Sequence, residues 1–229
     1  MVIFRNDKHV FWQAFIFAVI IFGIGIYIGY WLENSRVSKI SDFYLNSELE
    51  LLDVKISNSI LLGSMVDKNS CAIAVDENIK FADRIYEEAK ILDRYEGASR
   101  ISDKNIRLEH KKYDLLRTQF WVNLLEIKKQ CNSSYHTVVY FYQYNNADVD
   151  KKNKQAVFSN LLKDLKESKG RDIMLIPISG DNNVSSVNFL MKKYNVSILP
   201  TVLIDEKIKV TELETAQELE NIIYSSRVN

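Results

Sequence analysis

The two cysteines are the residues whose chemistry is easiest to state. Cys71 and Cys131 are the only cysteines of the chain, and an even number suits a disulfide in a protein that folds outside the cytosol. Two other states stay open: two unpaired buried thiols, if the domain faces the cytosol, or a redox-active pair. Catalytic dithiols usually lie close in sequence, with one thiol acidified and exposed. We therefore expect a structural disulfide between Cys71 and Cys131.

The remaining side chains predict no metal, cofactor or nucleic-acid site. His9, His110 and His136 are scattered, without the carboxylate or cysteine spacing of a metal site. The chain has neither a glycine-rich phosphate loop nor a Gly-x-Ser-x-Gly elbow. Lysine and arginine number 30 and aspartate and glutamate also number 30, so no basic face for nucleic acid is expected.

An uncharged stretch near the N-terminus predicts a membrane anchor. No residue from 10 to 32 is charged, and at about 1.5 Å per residue such a helix crosses a bilayer core of about 30 Å. A cleaved signal peptide would have a shorter apolar core followed by an Ala-x-Ala-like site. We expect residues 1–9 to be a short tail and residues 10–32 a retained transmembrane signal anchor in contact with the lipid bilayer.

Basic residues on the two sides of this stretch nearly balance. Arg5 and Lys8 precede it and similar charges follow it, which only slightly favours a cytoplasmic N-terminus. The sequence then predicts a single-pass protein of the cell membrane with extracytoplasmic C-terminal domains. Gly25 and Gly29 form a Gly-x-x-x-Gly pair, which lets two membrane helices approach closely, so a homodimer through these glycines is a further expectation.

Heptad-like spacing of apolar residues predicts a helical stalk over residues 33–131. Gly97 and the polar residues after it separate the second and third of its helices, so these two form an antiparallel hairpin. Cys71 begins the second helix and Cys131 ends the third, which brings both to the same end of the hairpin. The expected core stripes are, in the first helix, Ile40, Tyr44, Leu51, Val54, Leu61 and Met65; in the second, Val75, Ile79, Ala82, Tyr86 and Ala89; and in the third, Ile106, Tyr113, Phe120, Leu124 and Ile127.

The apolar period changes from His136 onward. The pattern predicts strand, helix, strand, helix, hairpin and helix. The expected ranges are strand 137–144, helix 150–168, strand 172–178, helix 184–194, strands 202–204 and 207–211, and a last helix after Thr215. A right-handed crossover makes the first two strands parallel neighbours. We expect a small mixed α/β sheet with helices on both faces.

Pro200 begins a strand of this sheet, where a proline cannot donate a ladder hydrogen bond. It belongs to the stretch Lys193-Tyr194-Asn195-Val196-Ser197-Ile198-Leu199-Pro200-Thr201. This stretch is similar to the Lys-Tyr-Gly-Ile-x-x-Ile-Pro-Thr pattern of thioredoxins, and residues 136–225 resemble the thioredoxin-like fold in element order. The resemblance implies a cis Leu199–Pro200 bond and a substrate groove bordered by the proline.

The chain departs from that family where the family has its chemistry. Thioredoxins carry Cys-x-x-Cys just after the first strand, and here Asn145 and Asn146 stand in that place. Asp148 and Asp150 are expected to cap the following helix. Dithiol exchange at this position is therefore not predicted, and catalytic activity is not expected.

Three functions are compatible with these patterns. The first is a membrane-anchored, redox-inactive thioredoxin-like module that binds a protein or peptide on the extracytoplasmic side. Its groove would contain Leu199, Pro200, Thr201, Asn145 and Asn146, with strand addition at the sheet edge as the binding mode. The second is a structural spacer or assembly component that acts through the helical stalk. The third is a thiol–disulfide oxidoreductase that uses Cys71 and Cys131.

Overall fold

The computed structural model describes residues 7–63, 68–98, 103–144, 148–212 and 215–225. Within these ranges the protein is mostly helical, with one small mixed sheet. The elements are, in chain order, α1 (Asp7–Gly63), α2 (Lys68–Ala98), α3 (Asp103–Cys131), β1 (His136–Tyr142), α4 (Val149–Lys169), β2 (Ile173–Ser179), α5 (Ser185–Lys193), β3 (Thr201–Ile204), β4 (Ile208–Val210) and α6 (Ala216–Ser225). Residues 1–46 and 47–229 form two compact units, and α1 belongs to both.

The first unit consists of the N-terminal part of α1. Its stretch Phe11–Ser35 is 25 residues long with a mean hydropathy of 2.2, which makes it long and apolar enough to cross a membrane. Its large side chains are exposed along the whole stretch, as in Ile21, which is 69% exposed. A Cβ atom placed on Gly25 or Gly29 would meet no heavy atom within 4 Å, so both glycines are open to an approaching helix.

The second unit is organised by a four-stranded sheet in the order β2-β1-β3-β4. Strand β1 pairs with β2 in parallel, with Val139 opposite Ile176. It pairs with β3 in antiparallel fashion, with Val139 opposite Leu203. Strand β4 continues the sheet as an antiparallel neighbour of β3. The crossover pair and the added hairpin are the arrangement that the sequence predicted for this region.

Strand β1 is buried on both faces, which explains its continuous apolar sequence. On one face, Val138 and Tyr140 belong to a core that includes Phe158 of α4 and Leu219 of α6. Further buried members of that core are Leu162, Leu165, Ile173, Val202, Ile204, Val210 and Ile223. The other face of β1 is also buried, so other elements must pack against it.

Helix α3 supplies part of that second cover. The Trp121 side chain is fully buried, and its ring lies 6.0 Å from the ring of Phe141 in β1. Arg117 donates from Nη1 to the carbonyl oxygen of Pro177 in β2 at 2.5 Å. Helices α2 and α3 and the sheet thus lie in one compact unit. The physical reason is that a strand buried on both faces needs helices on both faces.

The predicted helix stripes are described in part. Ile79, Ala82, Tyr113 and Phe120 are buried, as expected of core positions. Leu124 and Ile127 are buried too, whereas Met65 and the predicted stripe residues of α1 lie outside the described side chains.

The predicted helix ends agree with the hydrogen bonds. The Asp148 carboxylate accepts from the backbone nitrogen of Asp150 at 3.0 Å and so caps α4. Thr215 Oγ1 accepts from the backbone nitrogen of Glu218 at 3.1 Å at the start of α6. Asn195, just after α5, has a φ of 54°, the left-handed conformation that asparagine tolerates. These short-range signals depend on neighbouring residues alone, which is why the sequence predicts them well.

Candidate functional site

The ends of β1 and β2 meet the start of β3 at one end of the strands, and this end, called the edge around Pro200, includes the segments before and after which the sequence predicted a groove. Because β1 and β2 are parallel and β3 is antiparallel to β1, the last residues of β1 and β2 lie beside the first residue of β3. Tyr142 is opposite Ser179, and Phe141 is opposite Thr201. The backbone nitrogen of Gly180 also donates to the Tyr142 carbonyl oxygen at 2.8 Å. This edge places the end of β1 next to Pro200.

The loop before β3 is tightly constrained. The Leu199–Pro200 peptide bond is cis, as the resemblance implied. Pro200 and Thr201 are buried, and Thr201 Oγ1 donates to the carbonyl oxygen of Ile198 at 2.6 Å. The loop therefore has a fixed backbone, while the Ile198 side chain points outward.

The Leu199 side chain fits into the space left by a glycine. A Cβ atom placed on Gly180 would lie 2.8 Å from Leu199 Cδ1 and 3.2 Å from Met191 Cε. Any larger residue at position 180 would have to displace these side-chain ends. Gly180 thus joins the end of β2, the loop before β3 and helix α5 in one contact.

Two large apolar side chains in the neighbouring segments remain exposed. Ile198, directly before Leu199, is 61% exposed, and Phe189 of α5 is 66% exposed. Exposed apolar side chains on a rigid edge are a typical feature of a protein-binding surface.

A buried polar network holds the loop after β2. The Asp114 carboxylate of α3 is fully buried. It accepts from the Ser179 backbone nitrogen at 3.0 Å and from Asn182 Nδ2 at 2.8 Å. Burial raises the pKa of Asp114, and the two hydrogen bonds oppose that shift. The Asp181 carboxylate accepts from the Tyr144 backbone nitrogen at 2.7 Å.

Aromatic rings and a guanidinium group surround this network. The His110 ring lies 3.9 Å from the Tyr144 ring, and the Arg117 guanidinium lies 3.5 Å above the Tyr113 ring. Within the described ranges, no group of three histidine, cysteine, aspartate or glutamate residues could hold a metal ion.

Three of the five predicted groove residues lie in the described part of the chain. Leu199, Pro200 and Thr201 lie at the edge just described, beside Tyr144 at the end of β1. The other two predicted residues, Asn145 and Asn146, lie outside the described residues.

The predicted disulfide is present at the opposite edge of the sheet. Cys71 and Cys131 are joined with an S–S distance of 2.12 Å and a Cα–Cα distance of 5.4 Å. The bond borders an open cleft of about 680 Å³ that also contains Asp76 and Arg171. Cys131 lies shortly before the start of β1, whereas Pro200 lies beside the end of β1. At about 3.3 Å per residue, β1 itself spans about 20 Å.

A second polar cluster, at the turn between β3 and β4, was not foreseen. The sequence predicted only a tight turn at Asp205 and Glu206. The Asp205 carboxylate accepts from His136 Nδ1 at 2.6 Å, Lys128 Nζ at 2.5 Å and the Thr137 backbone nitrogen at 3.0 Å. Burial alone would raise the pKa of Asp205, but the hydrogen bonds from His136 and Lys128 outweigh it and lower the pKa to about 2.

The pKa of the neighbouring Glu206 carboxylate is shifted in the opposite direction. Glu206 Oε1 accepts from Trp121 Nε1 at 2.7 Å and from Thr137 Oγ1 at 2.8 Å. Burial raises the pKa of Glu206 despite these two hydrogen bonds. Both carboxylates are occupied by internal donors, so the cluster ties α3 and β1 to the hairpin and offers no free base. No sequence motif marks it, since its partners lie 68 to 85 residues apart.

Comparison with known proteins adds little to this description. No protein-family model and no curated protein matches the chain. A solved structure described as "Structure of a malarial protein" matches 40% of this chain and 96% of its own, with 19% sequence identity and a TM-score of 0.32.

Proposed function

We propose that the protein is a single-pass membrane protein whose thioredoxin-like domain binds another protein or a peptide without redox chemistry. One observation carries the proposal: the apolar side chain of Ile198, in the loop that leads to the cis Pro200, is exposed, as is that of Phe189 in the helix before this loop. Such anchors release water when a partner covers them, which is the main source of binding energy at protein interfaces.

The fold supports a thioredoxin-like assignment for residues 136–225. The observed order of strand, helix, strand, helix, hairpin and helix is the order on which the resemblance rested. The cis bond before Pro200 is the second feature that the resemblance implied.

The position of the cysteines supports a redox-inactive groove. A thioredoxin-like exchange site needs a thiol at the start of the helix after β1. The capping residue there is Asp148, and both cysteines of the chain are joined at the opposite edge of the sheet.

The N-terminal helix and the disulfide together support an extracytoplasmic location. A 25-residue stretch near the N-terminus is apolar enough to cross a membrane, and disulfides persist chiefly in oxidising compartments. We place the N-terminus in the cytoplasm and residues 47–229 on the opposite side.

Charge insertion at the apolar anchors tests the binding function. The full chain is purified in mild detergent from native membranes, and its co-purified proteins are quantified for Ile198→Glu and Phe189→Glu. Each substitution should lower the yield of a specific partner about tenfold, because a carboxylate would have to be buried against the partner. Val157→Glu is the matched control, since Val157 is 48% exposed on α4. Equal yields from all three variants would contradict the proposal.

A second candidate function, assembly through α1, has an observation in its favour. The side chains of Leu49, Leu52 and Ile56 follow a three-and-four spacing and are 55%, 49% and 58% exposed. In the first unit, Gly25 and Gly29 are open to close approach of another helix. This candidate requires two differently tagged copies to co-purify, and requires Gly29→Leu to reduce that association.

The oxidoreductase alternative rests on the cleft beside the disulfide. Cys71 and Cys131 are both half-buried and border it. Cysteine-dependent reduction of insulin by the full chain would support this alternative, and its absence would leave a structural disulfide.

A further inference from the structure

The surface next to the cis-proline loop carries positive charge as well as apolar side chains. Lys192 and Lys193 occupy the last turn of α5, and Lys209 lies on β4; all three are exposed. We call these three lysines, together with Phe189 and Ile198, the lysine–apolar surface.

Hydrogen bonds bring the members of this surface together from three separate segments. Lys209 Nζ donates to the carbonyl oxygen of Asn195 at 3.1 Å, which places β4 beside the end of α5. The backbone nitrogen of Asn195 donates to the carbonyl oxygen of Lys192 at 3.2 Å. Phe189 precedes Lys192 and Lys193 by three and four residues, the spacing that puts side chains on one face of a helix, and Ile198 lies in the loop that follows Asn195.

The segment that contains Lys192, Lys193 and Ile198 carries positive charge and no negative charge. No acidic residue occurs between positions 185 and 204. The flanking acidic groups are engaged elsewhere: Asp181 accepts from Tyr144 and Ser179, and Asp205 accepts from Lys128 and His136. The helix dipole of α5 favours the positive charges of Lys192 and Lys193 in its last turn. Lys209 lies on a strand, so the dipole does not account for its position at the end of α5.

Strand β4 adds a backbone component to the surface. It is the last strand of the sheet order, so among the described residues one side of its backbone has no strand partner. An extended peptide can pair with such an edge through main-chain hydrogen bonds while its side chains occupy neighbouring pockets.

We propose that the occupant of the lysine–apolar surface is an extended protein segment in which acidic residues alternate with large apolar ones. This inference rests on the proposed function and specifies the chemistry of the partner. The acidic residues complement Lys192, Lys193 and Lys209, the apolar residues cover Phe189 and Ile198, and the backbone pairs along β4.

Peptide binding to the full chain in nanodiscs of zwitterionic lipid tests this inference. The probes are an array of fluorescent ten-residue peptides that alternate aspartate or glutamate with phenylalanine or isoleucine, and a matched array with lysine in place of every acidic residue. The acidic array should contain peptides that bind at least about tenfold more tightly than their lysine counterparts. Binding should weaken as salt rises from about 50 mM to about 500 mM, because exposed charges are screened.

A charge reversal on each of two helices provides the matched comparison. Lys193→Glu should weaken binding of the acidic peptides about fivefold, and Lys163→Glu, at an exposed position of α4, should leave it unchanged. Equal binding of the two arrays, no binding of either, or equal effects of the two substitutions would overturn the inference.

Two further outcomes separate this inference from its alternatives. If Lys193→Glu abolishes binding to phosphatidylglycerol vesicles and no acidic peptide binds, the surface recognises lipid headgroups and the inference is wrong. If Ile198→Glu still removes a native partner while Lys193→Glu does not, the binding function stands and only the acidic character of the partner is wrong.

Discussion

Asp205 shows how single residues hold this domain together. Its carboxylate accepts hydrogen bonds from Lys128 of α3 and from His136 and Thr137 of β1. Its φ of 46° lies in the left-handed region that a tight hairpin turn requires. One side chain thus fixes both the turn and the helix that covers the sheet.

The lowered pKa of Asp205 predicts a specific dependence of stability on pH. Because its pKa is about 2 in the folded protein and about 4 in an unfolded chain, the ionised carboxylate stabilises the fold above about pH 4. That contribution is lost as the pH falls toward 2. Asp205→Asn should therefore lower the free energy of unfolding by about 1–2 kcal/mol at pH 7, and the difference from the wild type should shrink between pH 4 and 2.

Thermal unfolding of the full chain in detergent at pH 7 and pH 3 measures this difference. Asp164→Asn is a suitable control, since Asp164 is exposed on α4 and should change stability little. The account of this cluster fails if the effect of Asp205→Asn is independent of pH. Glu206 and Asp114 work in the opposite sense, because their raised pKa values make ionisation less favourable in the folded protein.

At the scale of elements, the disulfide fixes the open end of the α2–α3 hairpin. It joins residues 60 positions apart, and closing a loop of that size contributes about 4 kcal/mol in the chain-entropy model, as an upper figure. Helix α3 also covers one face of the sheet, so loosening the hairpin should loosen that cover too.

Reduction of the disulfide is therefore expected to destabilise the second unit. A thiol reductant should lower the unfolding midpoint of the wild-type chain by several degrees, measured by differential scanning fluorimetry in detergent. The double variant Cys71→Ala, Cys131→Ala should start at the lower midpoint and should not respond to the reductant. An unchanged midpoint for the reduced wild type would argue against a stabilising role.

Elements predicted from neighbouring residues agree with the structure, whereas the packing of α3 on the sheet was not predicted. The strand at 137–144, the Asp148 cap and the left-handed Asn195 follow from local sequence chemistry. The packing of α3 on the sheet was missed, because heptad-like spacing gives the same pattern in a separate stalk and in a helix that covers a sheet. Polar residues inside that stripe, such as Asp114 and Arg117, were the available signal.

The candidate site divides in the same way. Pro200 and its neighbours were found because the proline interrupts a strand pattern. The exposure of Ile198 and Phe189 was not predicted, because the tertiary fold and not the residue type decides which side chains are exposed. The Asp205 cluster was missed because its partner His136 lies 69 residues away in sequence.

At the scale of the whole molecule, the proposal requires the second unit to lie outside the cytoplasm. In a background without Cys71 and Cys131, single cysteines are introduced as Lys163→Cys, in α4, and as Lys8→Cys, before the apolar stretch. A membrane-impermeant maleimide should label position 163 in intact cells and position 8 only after permeabilisation. The reverse pattern would place the domain in the cytoplasm.

The central claim is that a partner docks at the edge around Pro200, and photo-crosslinking in native membranes tests it most directly. A photoreactive phenylalanine analogue is placed at position 198 or, as the control, at position 157 of the full chain. We predict a discrete crosslinked protein of constant mass from position 198 and none from position 157. Absence of any crosslink from position 198, or the same products from both positions, would contradict a binding surface at this edge.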